Sequence, residues 1–167
     1  MPTRIAPYYF YKNNQKMTGE LNEMQINNVL CSQAIGRIAC CDGKHPYIVP
    51  VTYSYDGKCI YAQSFEGRKM EMMRQNPNVC FEVDLSNDIF NWQSVLLFGQ
   101  FEELEELDAA KSRENHVAKI MPLMTGSSIH QHEHWEGNGH ELNDAGRMKP
   151  IMFRINIHEK MGRFEKR

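Results

Sequence analysis

The sequence predicts a mainly β protein in which six strands, flanked by a few helices, form an antiparallel barrel or closed sheet. Two Asp-Gly pairs, at 42–43 and 56–57, separate three strand-like runs, and Asp-Gly supplies the positive φ values that tight hairpins need. The chain contains neither G-x-G-x-x-G nor G-x-x-x-x-G-K, the usual motifs of doubly wound and P-loop nucleotide-binding folds. With 167 residues and 41% hydrophobic composition, we expect residues 1–167 to form a single domain.

The first third of the chain predicts one helix followed by a three-stranded meander. Apolar residues between Leu21 and Leu30 recur at helical spacing after Thr18, a possible N-cap, which predicts a helix over about 19–31. The meander covers about 34–64, and its two turns are the Asp-Gly pairs.

The rest of the chain predicts further strands and two helices. A short helix follows Gly67 and ends at Asn76-Pro77, because proline cannot continue the helical hydrogen bonds. The elements expected after it are a strand at 78–84, a long strand at 92–104, a helix from Glu105 to Met121, a loop from Pro122 to Pro150 and a last strand at 151–158.

Composition and charge exclude several functions. The net charge of −2 and the pI near 6.4 give no basic field, and no basic tract is interleaved with aromatic residues, so we expect no nucleic-acid partner. The N-terminus lacks a secretory apolar run and no later segment resembles a membrane span, which predicts a cytoplasmic protein without membrane contact. The five cysteines form no C-x-x-C pair, which favours reduced thiols over a zinc or redox site.

The segment Q-S-F-E-G-R-K, residues 63–69, places two cations at the start of a predicted helix. A helix N-terminus already carries partial positive charge, so Arg68 and Lys69 are unfavourable there unless an anion offsets them. With the hydroxyl of Ser64 and the close backbone approach that Gly67 allows, the segment suits a phosphate monoester. Spacing alone is equally compatible with two basic side chains that face water.

Taken in order, several segments resemble the pyridoxamine 5'-phosphate oxidase-like flavin-binding proteins. The resemblance is strongest to the branch that includes the nitroimidazole-resistance proteins. It runs from about Ile35 to Leu104, with a weaker match near the C-terminus. The segments that carry it are G-R-I-A-C, H-P-Y-I-V-P-V-T-Y-S-Y-D-G, Q-S-F-E-G-R-K-M-E-M-M-R-Q-N-P, N-W-Q-S-V-L-L-F-G-Q-F and the terminal R-I-N-I-H-E-K-M-G-R-F-E.

The resemblance implies a split β-barrel that dimerises and holds FMN in a groove between protomers. By position, Arg68 and Lys69 match the basic pair that binds the FMN phosphate. The residues implied to contact FMN are Val49, Pro50, Val51 and Thr52 along the isoalloxazine ring, Gln63 at the reactive side of the flavin, Ser64 and Gly67 beside the phosphate pair, and Gln93 and Ser94 on a later strand. FAD or a deazaflavin shares the same ring and is the alternative cofactor.

Two departures from the family limit the reaction that the resemblance implies. Gln63 stands where several nitroimidazole-resistance proteins carry a histidine that faces the reactive side of the flavin, which argues against drug-type reduction. The C-terminal G-R-F-E-K-R lacks the arginine and histidine pairing that pyridoxamine phosphate oxidases use for substrate, which argues against vitamin B6 oxidation. No side chain is predicted to be a catalytic acid or base.

The segment S-S-I-H-Q-H-E-H-W-E-G-N-G-H, within a loop predicted over about 126–150, is rich in histidine. On an extended chain, His130, His132 and His134 share one side and could bind Zn, Ni or Cu. A surface loop without metal is the alternative, and since related split barrels include haem-degrading proteins, a histidine here could also bind haem.

The sequence therefore predicts an FMN-binding flavoprotein, expected to be a homodimer. We expect it to act as an oxidoreductase that takes electrons from NAD(P)H or another donor and passes them to a small acceptor. The alternative is a non-catalytic module that binds flavin or haem. Gln63 keeps this alternative open, because it leaves no ionisable side chain at the predicted flavin face.

Overall fold

The computed structural model describes residues 17–124 and 150–167, with seven strands and three helices in these ranges. The strands are β1 (Met17–Glu20), β2 (Ile35–Cys41), β3 (Pro46–Tyr55), β4 (Cys59–Ser64), β5 (Asn78–Asp88), β6 (Asn91–Glu103) and β7 (Ile151–Lys166). The helices are α1 (Glu23–Ser32), α2 (Arg68–Gln75) and α3 (Glu106–Met124).

Six of the strands close into a ring, and the seventh lies outside it. The sheet order is β1-β7-β4-β3-β2-β5-β6, and an additional antiparallel pairing of β6 with β7 closes β2 to β7 on themselves. β1 pairs only with the C-terminal end of β7, from Met17 beside Lys166 to Glu20 beside Arg163. The predicted mainly β, six-stranded antiparallel barrel is therefore confirmed, with one further short strand appended to it.

The two Asp-Gly hairpins of the predicted meander are confirmed. Gly43 and Gly57 have φ values of 91° and 100°, which favour glycine. In the first turn, the Oδ1 atom of Asp42 accepts hydrogen bonds from the backbone N–H groups of Lys44 and His45, at 2.8 and 2.9 Å. The same bonds, led by the one from His45, lower the pKa of Asp42.

Helix α1 begins later than the sequence predicted. Its N-cap is Asn22, whose side chain accepts from the backbone N–H of Gln25, while the Gln25 side chain accepts from the backbone N–H of Asn22. This reciprocal capping box fixes the start of the helix at Glu23. Thr18, the predicted N-cap, lies instead in β1, because pairing with β7 keeps this segment extended.

The barrel interior is apolar and is continuous with the buried faces of α1 and α2. Tyr53, Phe81 and Phe153 are among its largest fully buried side chains. The methionines of α2 belong to this core: Met70, Met72 and Met73 are all buried. No helix in the described part of the chain is long and apolar enough to cross a membrane.

Two boundaries in the C-terminal part differ from the prediction. α3 continues past Met121 to Met124 with Pro122 inside its last turn, where the loss of one backbone donor does not stop the helix. β7 extends eight positions beyond His158 to Lys166, because β6 on one side and β1 on the other satisfy its backbone groups. The predicted metal candidates His130, His132 and His134 lie outside the described residues.

Candidate functional site

The start of α2 presents backbone and side-chain donors that have no anionic partner. Gly67 occupies the N-cap position with φ 153° and ψ −175°, a conformation essentially restricted to glycine, and no side chain caps this helix end. In the described part of the chain, Arg68 and Lys69 form no ion pair, whereas Arg37, Arg74 and Arg154 all do. The α2 start is therefore a cationic site ready for an external anion.

The two cations have different surroundings. The Arg68 guanidinium is exposed and lies over the ring of Tyr47, with 5.3 Å between its carbon and the ring centroid. Lys69 is half-buried, and this burial lowers the pKa of its ammonium group, although the nearby Cys40 thiol opposes the shift. An anion bound to Lys69 would restore part of the lost solvation.

The acidic residue closest in sequence to this cationic site is already neutralised. The Glu66 carboxylate accepts two hydrogen bonds of 2.8 Å from the guanidinium of Arg74, one helical turn beyond the site. This bidentate pair lowers the pKa of Glu66 and engages both of its oxygens. Glu66 therefore does not compete with an incoming anion for Arg68 or Lys69.

Ser64 lies beside the cationic site, but its hydroxyl already donates a hydrogen bond within the protein. The Ser64 hydroxyl donates to the carbonyl oxygen of Phe65 at 2.8 Å. Its lone pairs remain accessible, but donation to an anion requires rotation about the Cα–Cβ bond. Gln63 precedes it on β4, half-buried and paired with Met152 of β7.

The strand β3 has a free backbone edge next to this site. Residues 46–52 pair with β2 on one side, but only residues 53–55 pair with β4 on the other. The backbone N–H of Tyr53 donates to Ala34 on the β2 side, so by alternation the groups of Thr52, Pro50 and Ile48 point to the free edge. A flat ligand can bond there to the N–H groups of Ile48 and Thr52 and to three carbonyls.

Pro50 lies at this free edge of β3. Proline has no N–H group, so it fits a strand only where no neighbouring strand needs a donor. Its side chain and that of Thr52 are exposed, whereas Val49 is half-buried and Val51 is buried with the core. The predicted ring-contact residues thus present backbone groups to a ligand, together with the exposed side chains of Pro50 and Thr52.

Gln93 and Ser94 lie apart from the other predicted site residues. They are on β6, and β2 and β5 separate this strand from β3. Three strand spacings of about 4.8 Å place them about 14 Å from β3 along the sheet. The Ser94 hydroxyl donates to Glu82 at 2.9 Å, and Gln93 lines a separate cavity of 240 Å³ with the half-buried Trp92. One protomer therefore divides the predicted residues into two groups.

The structure adds one residue that the sequence reading did not include in the site. Tyr47 contacts Arg68 across the gap between β3 and α2. The sequence could have indicated Tyr47, because it lies on the same strand and on the same side of the sheet as Val49. In the described ranges, no group of three or more histidine, cysteine, aspartate or glutamate side chains could hold a metal ion.

The closed six-stranded ring, with a cationic helix start beside a free strand edge, defines the class of split β-barrel proteins. The family model described as pyridoxamine 5'-phosphate oxidase matches residues 22–137, more than half of the sequence. The chain belongs to this family, which confirms the resemblance found in the sequence.

The chain is also similar to individual proteins. The structure of an FAD-binding protein from Mesorhizobium loti is 29% identical, with a TM-score of 0.70 over 91% of this chain and 99% of that one. A structure from Bacteroides thetaiotaomicron, provisionally named a 5-nitroimidazole antibiotic resistance protein, has a TM-score of 0.65 at 17% identity over 90% and 89% of the two chains. An uncharacterized protein of Rhizobium meliloti is 29% identical over 60% of this chain and 67% of its own length.

Proposed function

We propose that this protein binds FMN, with the phosphate at the start of α2 and the isoalloxazine ring along the free edge of β3. The observation that carries the proposal is the pair of unpaired cations, Arg68 and Lys69, at an uncapped helix start next to that edge. The free N–H groups at the helix start suit phosphate oxygens. The free backbone groups of β3 suit the alternating donors and acceptors of the ring.

FMN fits this arrangement more simply than FAD does. In FMN the chain ends at the phosphate, and a terminal phosphate monoester matches two cations and a helix start. The Mesorhizobium loti relative is described as FAD-binding, so the same ring with a longer tail is the alternative. In FAD, the second phosphate and the adenosine would have to extend past Arg68. Arg68 is exposed, so this part of FAD would lie at the protein surface.

We further propose that the protein is a homodimer in which the second group of predicted residues completes the flavin site. Gln93 and Ser94 lie about 14 Å from β3 within one protomer, so a partner's copy is the simpler source for such a contact. The sheet face that carries Ile48, Phe98 and Met161 supports this proposal, because these side chains are 62%, 39% and 40% exposed. Exposed apolar side chains that share one sheet face mark protein interfaces more often than ordinary solvent-facing surface.

The proposed activity is the transfer of electrons from NAD(P)H to a small acceptor. The flavin supplies the redox chemistry when bound. The chain's own residues anchor the phosphate through Arg68 and Lys69, orient the ring through the β3 backbone and place Gln63 beside it. Because Gln63 is neutral at all ordinary pH values, it can only donate or accept hydrogen bonds, and protons must come from solvent.

The test of this function is the absorbance spectrum of the purified protein, followed by stopped-flow reduction. We expect a flavin spectrum and release of FMN on heating. We also expect NADH or NADPH to reduce the bound flavin, with loss of its visible absorbance, fast enough for turnover. A 5-nitroimidazole and a quinone would serve as acceptors for the reduced protein. A colourless protein that takes up no added FMN would refute flavin binding.

The alternative function is a flavin-binding module without turnover. The observation that favours it is Gln63, which leaves no ionisable side chain at the proposed ring face. Flavin that binds tightly but is reduced by neither nicotinamide nucleotide would support this alternative over the oxidoreductase. Haem binding is distinguished by the same spectrum, since a Soret band replaces the flavin bands.

The dimer proposal predicts the effect of one charge on the exposed sheet face. Phe98→Glu should convert the dimer to a monomer and reduce flavin occupancy, because a buried unpaired carboxylate is unfavourable. Analytical ultracentrifugation of the loaded protein measures the change. Ile89→Glu is the matched control, because Ile89 is 79% exposed in the β5–β6 turn, outside this face. A Phe98→Glu variant that remains dimeric would remove this face from the interface.

The proposed phosphate contact predicts how flavin affinity depends on pH. Burial lowers the pKa of Lys69 below its usual 10.5, and a bound phosphate stabilises the ammonium and raises that pKa again. Binding therefore takes up a proton once the pH exceeds the lowered pKa, so FMN affinity should fall as the pH rises through that alkaline range.

Fluorescence titrations of FMN at several pH values measure this dependence. Lys69→Arg should flatten it, because the guanidinium stays charged throughout. Riboflavin controls for ionisation of the ring itself, since it has the same ring but no phosphate. An identical pH dependence for FMN in the natural protein and in Lys69→Arg would contradict the assignment of Lys69.

A further inference from the structure

A second cavity, distinct from the proposed flavin site, lies between α3 and the outer surface of the barrel. Its volume is 450 Å³, within the range typical of small-molecule sites. None of the predicted flavin-contact residues lines it. The sheet contributes Ser54, Tyr61 and Arg154 to its lining, and α3 contributes polar side chains from Asp108 to Lys119.

The floor of this cavity is a row of polar residues in register across three strands. Ser54 of β3 pairs with Tyr61 of β4, and Tyr61 pairs with Arg154 of β7. The Arg154 guanidinium already donates two hydrogen bonds, of 2.9 and 2.8 Å, to the carboxylate of Glu102. Arg154 therefore contributes little net charge to the cavity. The Tyr61 hydroxyl bonds to the carboxylate of Asp56, so Ser54 is the hydroxyl of this row that remains available for a ligand.

The cavity lining contains two acidic residues, Asp56 and Asp108. Oδ1 of Asp56 accepts from the backbone N–H groups of Lys58 and Cys59, at 2.8 and 2.7 Å. Asp108 lies in the first turn of α3, where the helix dipole favours a carboxylate. Along the helix axis Asp108 is about 16 Å from Lys119 but only about 4.5 Å from Lys111. The Asp56 carboxylate is close enough to Lys119 for the two charges to attract each other.

The wall formed by α3 carries two ammonium groups that form no close ion pair with any described residue. Lys111, Ser112, Asn115 and Lys119 follow the three- and four-residue spacing that places side chains on one helix face. Across the described ranges, neither Lys111 nor Lys119 forms an ion pair, and Lys119 donates only to the carbonyl oxygen of Tyr55, at 2.5 Å. The two lysines are about 12 Å apart along the helix axis, so each faces a different part of the cavity.

A buried histidine, His116, orients the Ser54 hydroxyl group at the cavity floor. His116 is only 1% exposed, its Nδ1 lies 3.1 Å from the Oγ of Ser54, and its Nε2 is buried without a partner. Burial lowers the pKa of His116 and favours the neutral ring. The tautomer with hydrogen on Nδ1 avoids an unsatisfied buried N–H group and donates to Ser54. The Ser54 hydroxyl is then free to donate into the cavity that it lines.

From these contacts we infer that this cavity is a second ligand site, which binds a small molecule with an anionic group at each end, such as a dicarboxylate. Lys111 and Lys119 pair with the two anionic groups. Ser54 and Asn115 donate to oxygens between them. The site is independent of the flavin, because it shares no residue with the proposed cofactor site.

The test is a titration of the full-length protein with glutarate, followed by two-dimensional NMR of its backbone amides. We expect saturable shifts at Ser54, Tyr61 and Asn115. Lys111→Gln with Lys119→Gln should weaken binding by about tenfold or more, and acetate should bind the natural protein about tenfold more weakly than glutarate. Lys44→Gln with Lys58→Gln is the matched control, because both lysines are exposed in hairpin turns.

The outcomes separate this cavity from other anion sites. Absence of saturable glutarate binding, or equal affinity in the Lys111→Gln/Lys119→Gln variant, would overturn the inference. Binding that is lost in an Arg68→Ala/Lys69→Ala variant but kept in the α3 variant would place the anion at α2 and overturn it as well. Neither lysine forms an ion pair among the described residues, and a glutamine at 119 keeps an amide donor, so the glutamine variants should fold normally.

Discussion

Replacement of both Arg68 and Lys69 by alanine should lower FMN affinity by about 100- to 1,000-fold and leave the barrel folded. Each hydrogen bond to a charged group contributes about 1.5–3 kcal/mol, so the loss of both cations removes about 3–4 kcal/mol or more of binding energy. Neither side chain forms an ion pair within the described structure, so its removal exposes no buried charge. Isothermal titration with FMN measures the affinity, and circular dichroism measures the fold.

The control for this experiment has the same change of charge elsewhere. Lys44→Ala with Lys58→Ala removes two exposed cations from the hairpin turns, so long-range attraction of FMN falls equally in both variants. A drop in affinity that is the same for both pairs would indicate a general field effect. Unchanged affinity in the Arg68→Ala/Lys69→Ala variant would show that the phosphate binds elsewhere.

Gly99→Ala should destabilise the folded protein by about 3 kcal/mol or more, because it forces the β6–β7 seam apart. A Cβ atom at Gly99 would lie 2.4 Å from the carbonyl oxygen of Asn156 and 2.8 Å from Cγ2 of Ile155. The first of these neighbours is backbone and cannot rotate away. The site also coincides with the register shift between Phe98 and Gly99, where β6 meets β7.

Urea denaturation measures this loss, and a second glycine provides the comparison. Gly57→Ala adds a methyl group to open space, so only its φ of 100° opposes the substitution, and we expect a cost of about 1 kcal/mol. If both alanine variants lose the same stability, strand separation at the β6–β7 seam is not the dominant cost.

Local chemistry explains why most of the barrel could be predicted from the sequence. The two Asp-Gly turns determine the β2–β3–β4 meander, and Asn76-Pro77 ends α2, because each depends on residues adjacent in the chain. β1 could not be found in this way. Met17 to Glu20 are four residues with no apolar alternation, and they form a strand only because the distant end of β7 pairs with them.

The candidate site was predictable in its residue types but not in its spatial grouping. The Q-S-F-E-G-R-K segment identified Arg68 and Lys69, because positively charged side chains are unfavourable at the N-terminus of a helix. The separation of Gln93 from β3 depends on the strand order, which no local pattern encodes. The cavity beneath α3 has the same origin, since Ser54 and His116 are 62 residues apart and meet only after the helix packs on the barrel.

The free edge of β3 also affects how the protein behaves without a ligand. An exposed strand edge can pair with another chain and begin aggregation. Pro50 lies in the middle of this edge and withholds one donor, so an invading strand cannot form a continuous ladder there. The same proline leaves its carbonyl free for a small ligand. Pro50 therefore discourages a β-strand from pairing with this edge while its own carbonyl oxygen stays free.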